Sequence, residues 1–229
     1  MAKLERERLE RLAAELMEKQ FKRVPKLREF HEGAWIDREH YKRHMIEAVL
    51  RIRMNNVADA YAVYKASFGD YRLASKLARY LAEELGHEAM FARDLSRFGV
   101  TLEQLNATQP FPSTLKAMGY LRLATDARGP APTALWDWYL EWYSDRYIPT
   151  ITEAARKAFG DEFTVGTQAH LNFDDSREHD ELMFETTALA VELYGTPEDA
   201  YNDLAIYMDL GGEYFMELYD ATVGSRRAE

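Results

Sequence analysis

A chain of 229 residues with 39 acidic and 29 basic side chains carries a formal charge of −10, and its bases are not gathered into one stretch. Such a chain repels phosphate backbones, which excludes generic nucleic-acid binding. Cysteine is absent, which removes disulfides, thiolate metal sites and cysteine nucleophiles together and leaves nitrogen and oxygen as metal donors.

The chain opens on Lys3, Glu5, Arg6, Glu7 and Arg8 rather than an apolar leader, and no apolar run reaches the ~18 residues of a membrane span. The expectation is a soluble cytoplasmic protein. From Lys3 to Val24, Leu4, Leu9, Leu12, Leu16 and Met17 share one helical face, and the segment stops before Pro25. Asp37 is placed to cap a long helix to about Phe68, with Tyr41, Met45, Val49, Ile52 and Val57 inward. Asp70 starts the next helix, predicted to run to about Phe98. Thr101 and Gln104 have capping-box spacing and open a short turn of helix before a loop ending at Pro112.

A helix from Ser113 to about Asp126 follows. The next is the most aromatic in the chain, with Trp136, Trp138, Tyr139, Trp142, Tyr143 and Tyr147; Pro149 should kink or break it, and Gly160 ends it. One long helical stretch is predicted for Glu162–Leu193. Thr196, with Pro197 and Asp199 behind it, starts a final helix in which Gly211 and Gly212 predict a bend or a close crossing. Strand signals are nearly absent, and the reading is one all-α domain, residues 1–229, of about seven principal helices.

Three segments could carry chemistry. On a continuous helix Glu84 and His87 differ by about 300°, so a carboxylate and an imidazole aim at one point; Glu83 offers a second carboxylate nearby. Glu141 lies between Tyr139 and Trp142, where an inward carboxylate would need a partner. His170 and Asp174 are four apart, as are Asp175 and His179. Carboxylate and imidazole donors without thiolate suit iron or manganese, and also zinc. Two irons need roughly six protein ligands, which the three segments supply together and none supplies alone.

The order of these segments, Glu-Glu-Leu-Gly-His-Glu at 83–88, Tyr-Leu-Glu-Trp-Tyr-Ser at 139–144, then His-x-x-x-Asp followed by His, resembles the haem-oxygenase-like diiron oxidases. The likeness runs from about Leu27 to Leu193. It implies a haem-oxygenase-like helical bundle with Glu84, His87, Glu141, His170, Asp174 and His179 as ligands to two Fe(II)/Fe(III) ions. It also implies O2 as co-substrate and oxidation of a small organic molecule by cleavage, N-oxygenation or desaturation. An external electron source and a homodimer are compatible with it.

The family pattern separates its last two histidines by about seven residues, whereas His170 and His179 are nine apart. Nine residues turn a straight helix about 900°, so both can serve one cluster only if the helix is interrupted between them. Asp175 could then replace Asp174. Thiaminase-type relatives use a cysteine nucleophile, which this chain lacks; the alternative is a metal-free binding or cofactor-biosynthesis protein of the same fold. Arg51 and Arg53 among aromatics favour an amino-acid-like substrate. His40 and His44, beside Arg38, Glu39, Lys42 and Arg43, read as a solvated face. The tyrosine-rich final helix suits a pocket wall or a dimer contact.

Overall fold

The computed structural model describes residues 3–177 and 179–227, without the side chains of residues 174–177 and 227. Four of the described helices begin where a side chain satisfies free N–H groups of the first turn. After α1 (Arg6–Arg23) and the short α2 (Leu27–His31), Asp37 accepts from the N–H groups of Glu39 and His40 to open α3 (Arg38–Ala66). Asp70 does the same for α4 (Tyr71–Glu84) through Arg72 and Leu73. A complete Thr101–Gln104 capping box starts α6 (Leu102–Ala107), behind α5 (Glu88–Arg97). Next come α7 (Pro112–Arg128), α8 (Ala131–Phe159), α9 (Val165–Arg177) and α10 (His179–Tyr194). A Thr196–Asp199 capping box with Pro197 in the first turn opens α11 (Pro197–Tyr219).

The fold is all-α, and no strand occurs among the described residues. Helix α8 is its axis. From Ala131 to Tyr139 it is buried all round, as are Trp142 and Tyr143, because α3, α7, α9, α10 and α11 all pack on it. Two apolar clusters result, one around Trp138, Trp142 and Tyr207 and one around Phe30, Val49 and Leu95; Tyr147 and Ile148 pack against both. No helix among the described residues is long and apolar enough to cross a membrane.

Several expectations need correction. Among the described residues there are more helical segments than the seven or so expected, because α2 is additional and the helix predicted from Asp70 is divided. The first predicted helix is α1, and α2 lies beyond Pro25, where no helix is predicted. The helix predicted from Asp70 to about Phe98 is broken after Glu84, where Gly86 takes φ +98°, so Glu84 and His87 do not share a helix face but flank a turn. The predicted 162–193 stretch is described as α9 and α10, with residue 178 between them outside the described residues. Pro149 does not break α8, which continues to Gly160 at φ +115°. The final helix does make a close crossing: a Cβ on Gly212 would come within 3.3 Å of Gln20 Cγ in α1. Its aromatics face inward, with Tyr207 fully buried and Tyr214 and Phe215 nearly so, which leaves none of these three for a dimer contact.

Candidate metal centre

Glu84 stands at the last residue of α4, 8% exposed, and the chain reverses at once through Leu85 and Gly86. A Cβ at Gly86 would meet nothing within 4 Å, so glycine is needed there for its left-handed backbone and not for space. The turn returns His87 toward Glu84, with Nδ1 at 3.1 Å from Glu84 Oε2. Glu141 comes from α8, also 8% exposed, and accepts a 2.6 Å hydrogen bond from the Tyr80 hydroxyl of α4.

His170 is positioned by the start of α9. Asp94 of α5, fully buried, accepts from the N–H groups of Gly166 and Thr167 at 2.7 and 2.8 Å and from the Thr167 hydroxyl at 2.9 Å. Gly166 lets the two backbones approach, since a Cβ there would lie 2.6 Å from the Met90 carbonyl carbon. With α5 and α9 held this close, the His87 and His170 rings meet edge to face, 4.6 Å between centroids. His179, in α10, is 1% exposed. Its Nε2 lies 3.0 Å from Glu83 Oε2, while Nδ1 turns inward, 3.4 Å from Glu84 Oε1 and 3.9 Å from Glu141 Oε1.

The outcome is two groups of three potential ligands, Glu84–His87–His170 and Glu84–Glu141–His179, each with donor atoms within 4.8 Å of one another. Glu84 belongs to both. Five of the six residues singled out in the sequence are therefore brought together. Asp174, and Asp175 as its substitute, lie outside the described side chains. His170 and His179 each enter a group with Glu84 despite the nine-residue gap between them, and residue 178, where the two helical segments meet, lies outside the described residues. Between the adjacent glutamates the structure separates the roles: Glu84 enters both groups, and Glu83 pairs with Arg79 and the outer nitrogen of His179.

Three further groups escaped the sequence reading. Asp59 and Asp137 are fully buried beside the cluster, and one Asn55 amide nitrogen lies 3.1 Å from a carboxylate oxygen of each. Asn55 in turn accepts from Trp136 Nε1 at 2.6 Å. Burial pushes both carboxyls well above the usual range; the Glu84 charge adds to this at Asp59, and the Asp59 charge adds to it at Asp137. Burial, then the charge of Glu141, raises the Tyr80 phenol likewise. The four-residue spacing of Asn55 and Asp59, and an acid inside Trp136-Asp137-Trp138, were the available signals.

A cavity of about 110 Å3 opens against the cluster, with Arg51, Asn55, Glu84, Glu141, Tyr143 and His170 in its wall. Arg53 is not part of it, being turned outward to Asn106. The solvated-face reading of His40 and His44 is also corrected. Both are buried, with Nδ1 of His40 at 2.9 Å from the Thr222 hydroxyl and Nδ1 of His44 at 2.8 Å from that of Tyr214. Neither joins a group of three potential ligands among the described residues. His31 bonds the Leu27 carbonyl and the Tyr143 hydroxyl.

No protein-family model matches this sequence, and no curated protein matches it. Solved structures do. A domain of unknown function with a haem-oxygenase-like fold from Shewanella denitrificans aligns at TM-score 0.78 and 18% identity, over 95% of this chain and 93% of that one. A TenA homologue from Pseudomonas syringae aligns at 0.67 and 15%, over 92% and 90%. A CADD-like protein of unknown function from Nostoc punctiforme aligns at 0.62 and 15%, over 94% and 99%. At such identities the likeness is one of architecture, and the chain has the haem-oxygenase-like fold.

Proposed function

We propose that the chain is a non-haem diiron enzyme that uses O2 to oxidise a small, amino-acid-sized organic substrate. The observation that carries this reading is the sharing of buried Glu84 by two potential ligand groups, an arrangement suited to two neighbouring metal ions and excessive for one. The residues fit such ions. Glu84 Oε1 is buried and accepts no hydrogen bond, a costly condition for a carboxylate oxygen unless a cation answers it. Nitrogen and oxygen donors without thiolate match iron or manganese.

Glu84, His87 and His170 would hold one ion, and Glu84, Glu141 and His179 the other, with Asp174 proposed as the sixth ligand. When bound, two Fe(II) ions supply the reducing electrons that no side chain here can give to O2. The protein's own part is orientation and protection. Glu83 accepts from His179 Nε2–H, which fixes the ring's tautomer and turns the Nδ1 lone pair inward, the usual carboxylate–histidine support of a metal ligand. Tyr80 holds one Glu141 oxygen in place. Phe91 and Phe173 pack on the imidazoles and keep bulk water away. The small-molecule substrate would enter the adjoining cavity, with an external electron source restoring the ferrous state.

The metal-free alternative, a binding or cofactor-biosynthesis protein, draws support from the fold it shares with a TenA homologue and a CADD-like protein. Thiaminase-type chemistry would lack its cysteine nucleophile. Anaerobic Fe(II) titration followed by O2 exposure and absorbance separates the two. The expected result is two irons per chain and an O2-dependent absorption change. No iron uptake, or uptake unchanged by Glu84→Ala and His170→Ala, overturns the diiron reading.

A further inference from the structure

We propose that Arg51 is the substrate anchor, binding the carboxylate of a short-chain acid whose apolar body reaches along the cavity toward Glu84, Glu141 and His170. Only the event at the far end rests on the diiron reading; the binding itself needs no iron.

Arg51 is half-buried in the cavity wall. Its nearest candidate partner on α3 is Glu47, one turn earlier, but that carboxylate is already engaged. It takes Arg43 at 2.5 Å, the Phe111 N–H at 3.0 Å and the Thr114 hydroxyl at 2.7 Å. Among the described residues Arg51 makes no ion pair, and the only acids lining the cavity are Glu84 and Glu141 of the metal cluster. Its surroundings are aromatic, with the guanidinium 6.0 Å from the centre of the Tyr214 ring. Burial raises the phenols of Tyr139 and Tyr214, and the Arg51 charge opposes that rise at both. A guanidinium that cannot lose its proton, set among rings and unmatched by a carboxylate, is a receptor for an anion, and its planar fork favours a carboxylate.

Length and volume set the size of that anion. Arg51, Asn55 and Asp59 follow at four-residue spacing on α3, and Asn55 also lines the cavity. From Arg51 to Asp59, the residue that feels the charge of Glu84, is about 12 Å of helix. The space of about 110 Å3 is below the ~150 Å3 of an apolar cavity that admits benzene. A carboxylate on Arg51 therefore carries a short body of no more than about five carbons, and Ile52, Leu140 and Ile148 supply the apolar wall for it.

The test is calorimetric titration of the full chain, with and without Fe(II), using hexanoate and its uncharged isostere hexanamide. Hexanoate is expected to bind the wild-type chain roughly tenfold or more tightly than hexanamide. Arg51→Met should remove that preference, and Arg51→Lys should restore part of it. Iron stoichiometry in Arg51→Met should match wild type, which reports an intact fold and cluster. Equal binding of the acid and the amide, no binding of hexanoate at millimolar concentration, or full hexanoate affinity in Arg51→Met each overturns the anchor. If the chain takes up no iron yet prefers hexanoate through Arg51, the anchor stands and the diiron reading falls.

Discussion

Two adjacent glutamates, Glu83 and Glu84, do different work, and substitutions should separate them. Glu84 is common to both ligand groups, so Glu84→Gln should leave the chain with almost no tightly held iron after desalting. Glu141→Gln touches one group and should leave about one iron per chain; equal losses in the two variants would contradict the shared role. Glu83 joins neither group but meets the outer nitrogen of His179, so Glu83→Gln should keep two sites but weaken iron affinity about 10–100-fold, as loss of an outer hydrogen-bond partner commonly does. Titration against a competing chelator measures that shift. Residue types alone made Glu84, His87, Glu141, His170 and His179 visible in the sequence. The division of labour between Glu83 and Glu84 was not, because it depends on where α4 ends. Asp137 and Tyr80 stayed hidden because their partners Asn55 and Glu141 lie across helices, 82 and 61 positions away in the chain, and Asp59 because only the packing of α3 on α4 and α8 buries it beside them.

The helix ends explain why some elements were legible and others were not. Asp37, Asp70, Thr101 and Thr196 announce their helices by side chains that bond nearby N–H groups, and all four caps are present. The break at Leu85 and Gly86 has no such marker, since a lone glycine inside an apolar-periodic stretch also occurs in intact helices. Two glycines test the point. Gly86→Ala places a Cβ at φ +98° in open space, so its cost is backbone strain alone, about 1–2 kcal/mol. It should lower the melting temperature modestly and weaken iron binding by misaiming His87. Gly166→Ala drives a Cβ against the Met90 carbonyl, so α5 and α9 must separate, a change that costs about 1–3 kcal/mol as overpacking does. His87 and His170 move apart in that variant, and iron held by Glu84, His87 and His170 should be lost before the other site. A Gly166→Ala chain with wild-type stability and iron content would mean that the close approach of α5 and α9 does not position His170.

Across the whole molecule, acid tolerance depends on buried groups with opposite signs. Burial pushes His31 and His40 down to about 4, and His44 well below its usual value. The groups facing them are Tyr143 for His31, Thr222, Asp37 and Arg226 for His40, and Tyr214 and Arg51 for His44. Above pH ~6.5 each histidine is neutral folded and unfolded, and contributes its full stability. Below that the unfolded chain takes protons that the folded chain refuses, so stability falls as pH drops from ~6.5 toward 4. Asp59 and Asp137 act in the reverse sense. Their raised carboxyls hold protons in the folded state that the unfolded state has released, so they favour folding as pH falls. The pH curve of the wild-type chain is the difference between these effects, and one variant isolates the histidine part. His40→Asn keeps a group able to meet Thr222 but cannot titrate. In urea unfolding between pH 6.5 and 4, the stability of wild type relative to His40→Asn should fall by up to about 1.4 kcal/mol per pH unit, the slope of one proton. A difference that stays flat across that range would mean that His40 is protonated in the folded protein, and that α3 and the C-terminal turn are not joined by a neutral imidazole.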